Sequence, residues 1–94
     1  MRSKYAKIVT MPTVLEIEGF RFFFYSADRN EPPHIHIRKA GQKAKFWLTP
    51  PEVPFRIHPA YEGKFKPAEI RRILEIIEEN QTAFLEQWNE HFNS

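Results

Sequence analysis

His34 and His36 stand two apart in the stretch EPPHIHIRKAGQKAKFW (31–47), and Arg38, Lys39, Lys43 and Lys45 follow at once. In extended backbone alternate side chains share a face, so His34, His36 and Arg38 point one way and Ile35 and Ile37 the other. Three chemistries use residues of these types. A face that presents Arg38, Lys43 and Lys45 suits a phosphate backbone or an acidic protein partner, with Trp47, Tyr25 and Phe23 available to stack bases and Glu31 in the adjoining loop. Protonation of the histidines below about pH 6.5 would add charge to that face. A metal-independent ribonuclease would use His34 and His36 as general acid and base and the cations to stabilise a phosphorane. A metal site is the third reading, because two imidazoles with Cα atoms roughly 6.5–7 Å apart can converge on one ion. Zinc would then need Asp28, Glu31 or His91 to complete its shell. Lys45 beside His36 brings positive charge to that spot, so neither metal nor cofactor is expected; if an ion is held, His34, His36 and Asp28 hold it.

These side chains need a sheet to carry them. TVLEI (13–17), the turn signal Glu18-Gly19 and FRFFFYS (20–26) read as one hairpin. HIHIRK and KAKFWL, separated by Ala40-Gly41-Gln42, read as a second. A two- or four-residue loop there sets Arg38 opposite Lys43, His36 opposite Lys45 and His34 opposite Trp47; a three-residue loop shifts this register. Like charges directly opposed are unfavourable in a hairpin unless the face is wet or an anion settles on it. ADRNEPP (27–33) is a polar loop, and residues 49–65 hold four of the eight prolines, with a short edge strand expected at Phe55–His58. Pro67 suits the first position of a helix. From Ile70 the apolar residues fall at 70, 73, 74, 77, 84, 85, 88 and 92, which predicts one long helix over about 67–92. His91 falls at the edge of that apolar stripe, near Trp88, and His58 lies in the proline-rich segment.

The expected fold class is therefore α+β, a small antiparallel sheet of about four strands with the C-terminal helix across one face. Ile35, Ile37, Ala44, Phe46 and Leu48 should meet the helix. The histidine face should be the open one. Residues 11–94 are expected to form a single domain, with residues 1–10 an extension.

Composition narrows the setting. The chain has 94 residues, 41% of them hydrophobic, with nine phenylalanines and no cysteine, which excludes disulfides and thiolate metal sites. The sequence lacks an apolar run long enough to span a bilayer and the apolar core of a signal peptide, so a cytoplasmic protein with no membrane partner is expected. Charge is unevenly placed. Residues 1–66 hold twelve Lys/Arg against six Asp/Glu, whereas residues 67–94 hold two against six, so a basic body (+6) carries an acidic tail segment (−4).

With E-P-P-H-I-H at 31–36, A-K-F-W-L at 44–48 and W-N-E-H-F at 88–92, the chain resembles a family of small prokaryotic proteins classed as a domain of unknown function. The resemblance runs from Met11 to about Phe92. Members are often regarded as components of toxin–antitoxin-like gene pairs, which implies a cognate small partner protein as a ligand of the sheet face; RNA or DNA is the other ligand that its cations lead one to expect. The extension at 1–10 and the proline-rich segment 50–59 depart from the family pattern.

Overall fold

The computed structural model describes residues 13–48 and 58–93. Strands β1 (Thr13–Ile17), β2 (Phe20–Phe23), β3 (His34–Lys39), β4 (Gln42–Trp47) and β5 (His58–Tyr61) form one sheet in chain order, each pairing antiparallel with the next. Two helices, α1 (Pro67–Glu79) and α2 (Gln81–Asn93), complete the α+β architecture that the sequence pattern implies. The proposed extension at 1–10 lies outside the described residues, as does most of the edge strand expected at Phe55–His58; the strand at this edge is β5.

Both hairpins close through two residues at positive φ, Glu18 (56°) with Gly19 (85°) and Ala40 (50°) with Gly41 (82°). That is the pattern of type I′ turns, whose twist matches that of the strands they join. The second turn fixes the register of β3 on β4: Arg38 opposite Lys43, His36 opposite Lys45 and His34 opposite Trp47. Strand β2 extends the same rows, with Arg21 opposite Arg38, Phe22 opposite Ile37 and Phe23 opposite His36.

One face of the sheet supplies the core. Phe22, Phe24, Ile35, Ile37, Ala44, Phe46 and Leu48 are buried together with Ile73, Ile76, Ile77, Phe84 and Trp88 of the helices. The ring of Phe22 stacks on Phe84 at 5.6 Å, and Phe24 meets Trp88 edge-on at 5.3 Å. Of the apolar positions at helical spacing, Ile70, Leu74 and Leu85 are only partly buried, and Ile76 takes a fully buried place that the 70-73-74-77 spacing passes over.

The helix expected to be continuous is interrupted at Asn80. Its backbone N–H donates to both Ile76 O and Ile77 O at 3.1 Å, and its side-chain Nδ2 donates to Ile76 O at 2.8 Å. An asparagine that captures backbone carbonyls in this way competes with helix propagation. The backbone there reaches φ −116°, ψ 13°, and α2 restarts with Phe84 N donating to Asn80 O at 2.8 Å.

Candidate functional site

Alternation along β3 sends His34 and His36 away from Ile35 and Ile37, as the sequence implies, yet the face they enter is not open at that point. His34 is 0% exposed and His36 7%. The cover is the 3-10 segment Ser26–Asn30, which folds back over the strand. A tight local turn builds it: Asp28 N–H donates to Tyr25 O at 3.0 Å, and Tyr25 N–H donates to Asp28 Oδ2 at 2.8 Å. The turn delivers the Asp28 carboxylate onto the histidines, and Asp28 is itself only 7% exposed. Its Oδ2 lies 3.1 Å from His36 Nε2 and 3.1 Å from His34 Nε2.

The two rings are held differently. His36 stacks on Phe23 (5.5 Å), takes Tyr25 edge-on (4.5 Å) and makes a hydrogen bond to Asp28 Oδ2. His34 directs Nδ1 at Pro32 O, 2.9 Å away, and packs between Trp47 (5.4 Å) and Trp88 (5.1 Å). A carbonyl only accepts, so Nδ1 of His34 carries the proton. Its Nε2 is buried and lacks a hydrogen-bond partner, since the approach to Asp28 Oδ2 is close but misaligned. Burial lowers the pKa of His36 below the ordinary imidazole value, against the opposing pull of the Asp28 carboxylate; the neighbouring His34 and the Lys45 ammonium add to the lowering. The ring therefore resists protonation, and His36 gains its charge at a lower pH than an ordinary imidazole.

The cations separate into two groups. Lys45 Nζ binds Glu31 Oε1 at 2.6 Å and lies over the Trp47 ring at 4.7 Å, so its charge is answered within the fold. The same bond is the chief reason that the Glu31 carboxyl titrates below its ordinary range. Arg38 and Lys43 have no carboxylate partner among the described residues. With Arg21 they make a row across β2, β3 and β4. The guanidinium groups of Arg21 and Arg38 both lie over the Phe23 ring, at 5.4 and 5.7 Å, and Arg21 Nε also donates to Thr13 Oγ1 at 2.8 Å.

The structure thus gathers Asp28, Glu31, His34, His36, Lys45, Trp47 and Tyr25 into one cluster and sets Arg38 and Lys43 two residues further along their strands, on the same face. His91 is not part of it. It is exposed, rather than packed under the sheet, and stacks on Phe24 on the helical side. Arg21 was not among the expected site residues. Its signal was present in the alternation of FRFF, which pairs Arg21 with Phe23 on the histidine face.

A model of a family of unknown function matches residues 19–89, most of the described fold and all of this cluster. The chain belongs to the DUF4160 family. No curated protein and no solved structure matches it. Among the described residues of this DUF4160 member no helix is long and apolar enough to cross a membrane.

Proposed function

We propose that this protein is a cytoplasmic nucleic-acid-binding component of a two-protein, toxin–antitoxin-like module, and that the sugar-phosphate backbone lies along Arg21, Arg38 and Lys43. The observation that carries this reading is the row itself: three cations opposed on neighbouring strands, with Arg38 and Lys43 lacking a carboxylate among the described residues. Like charges placed directly opposite one another destabilise a sheet, and an anionic ligand relieves that cost. The Phe23 ring beneath both guanidinium groups holds them in place at little entropic expense. The two-protein setting rests on the resemblance in the E-P-P-H-I-H and W-N-E-H-F motifs. A cognate partner protein is the second expected ligand, and no catalytic group is required.

The test is equilibrium binding of the full chain to single-stranded RNA and to duplex DNA across a salt series. Arg38→Ala and Lys43→Ala should each weaken binding and lower the slope of log affinity against log salt by about 0.7–0.9. Lys45→Ala should change the slope less, because Glu31 already holds that ammonium. Affinity that ignores both salt and the row would refute the reading; tight, salt-dependent binding to an acidic protein alone would move the ligand from nucleic acid to the partner. The ribonuclease alternative, with His34 and His36 as acid and base, requires the Ser26–Asn30 segment to leave the sheet before a phosphodiester can meet either ring.

A further inference from the structure

The cluster behind the cationic row contains an unsatisfied atom. Asp28 Oδ2 already accepts from Tyr25 N–H at 2.8 Å and lies 3.1 Å from His36 Nε2, in hydrogen-bonding geometry. Those two contacts use the oxygen's ordinary capacity. His34 Nε2, 3.1 Å from the same oxygen, has no hydrogen bond, and its ring is 0% exposed. With the proton of His34 on Nδ1, the Nε2 lone pair of the neutral ring faces a carboxylate lone pair. Two acceptors in contact in a dry site repel, and the buried atom forfeits its hydration as well.

A cation between them reverses every one of these terms. We propose that Asp28, His34 and His36 bind a divalent first-row transition ion, with zinc as the reference species. The three offer ligand atoms that all lie within 4.8 Å of one another. Tetrahedral zinc, with bonds of about 2.0–2.1 Å, holds its ligand atoms roughly 3.3 Å apart, so closure asks for side-chain adjustment and leaves the strand in place. The Nδ1–H of His34 on the Pro32 carbonyl is the contact that orients a metal-bound imidazole and raises its basicity. Two imidazoles and a carboxylate suit zinc, and equally the ions that choose a two-histidine, one-carboxylate set. Three protein ligands leave a coordination position for water or a ligand.

The objection that Lys45 repels an ion loses force in the structure, because its ammonium is turned to Glu31 at 2.6 Å. Glu31 Oε1 approaches His34 on the other ring nitrogen, Nδ1, at 3.6 Å, so it supports the site from outside and is not a ligand. Neutral His36 carries a single ring proton, so as Nε2 takes the ion that proton moves from Nε2 to Nδ1 by exchange with solvent, with no net release from the ring. The ion would join the Ser26–Asn30 segment to β3. This inference does not depend on the cationic row.

The experiment uses the full chain, stripped with a chelator and titrated with zinc chloride. One zinc per chain should bind, and at a hundredfold excess over Kd the Tm should rise by about 10 °C or more. Histidine 15N spectra should show zinc shifting Nε2 of His34 and His36 and sparing His58 and His91. Asp28→Asn and His34→Gln, both close to isosteric, should abolish the Tm rise, and His91→Ala should retain it. The spectra need no variant, so they decide the matter even if a substitution in the cluster fails to fold. Absence of saturable binding would mean that a proton, not an ion, bridges the three groups, and would overturn the proposal. Stoichiometric zinc that shifts His58 or His91 instead would overturn it equally.

Discussion

Asp28 is the residue on which the histidine cluster turns. A carboxylate this deeply buried is tolerated because Tyr25 N–H and His36 satisfy it. Asp28→Ala would leave His36 and the Tyr25 amide without that acceptor, and the expected loss is about 3 kcal/mol by chemical denaturation, against about half that for Asn, which keeps an oxygen in place. The pH dependence has a definite sign. His36 has a lower pKa in the fold than in the unfolded chain, so the unfolded chain takes up the proton first. The stabilisation is complete above about pH 6.5 and is lost as the pH falls through the folded value. Tm of the metal-free protein should therefore decline from pH 7.5 to 5.5, and His36→Gln should flatten that decline. The residue types and their shared face were legible from H-x-H in a strand. Their burial was not, because it depends on where a loop folds in three dimensions: Asp28 reaches back over β3 only once Tyr25 and Asp28 have closed on each other.

At the level of elements, the hairpins were readable because turn chemistry is local. Glu18-Gly19 and Ala40-Gly41 each place glycine at the second turn position, and the two-residue loop then dictates every pairing on β3 and β4. Ala40 is the weak point, a non-glycine held at φ 50° on the exposed tip. Ala40→Asn or Ala40→Gly should stabilise the protein by roughly 0.5–1 kcal/mol, measured by denaturant midpoint at constant m, since both tolerate this backbone better. Gly63 is the opposite case. At φ 62° its missing Cβ would fall 2.1 Å from the Lys43 carbonyl oxygen, so Gly63→Ala must displace backbone and should destabilise well beyond an ordinary surface change. The single helix was misread for a physical reason. Apolar residues recur through Ile77 and again from Phe84, but Asn80 and Gln81 occupy the positions where the next apolar pair belongs. Phase survives that gap while the hydrogen-bond ladder does not. Phe46→Ala, at the buried centre of β4, should cost about 3–5 kcal/mol, and Leu74→Ala on the half-buried flank of α1 distinctly less.

Across the whole molecule the sheet divides charge. The helical segment from residue 67 carries six carboxylates against two arginines, and the row Arg21, Arg38 and Lys43 lies on the face turned from the helices. One arginine of α1 is spent internally: Arg72 reaches Glu18 in the β1–β2 turn at 2.6 Å and pairs with Glu75 of its own helix at 3.1 Å. A polyanion thus meets an attractive face and a repellent one, and its association rate should fall steeply as salt is added. The middle of the molecule has a further property. The chain contains two tryptophans, and the rings of both, Trp47 and Trp88, lie against the ring of His34 at 5.4 and 5.1 Å. One indole comes from the sheet and the other from α2, yet they share a single imidazole neighbour. The intrinsic fluorescence of the protein is therefore a gauge of one side chain. Any change in the charge or coordination of His34 is written into the emission of every indole in the chain, without a label and without altering a residue.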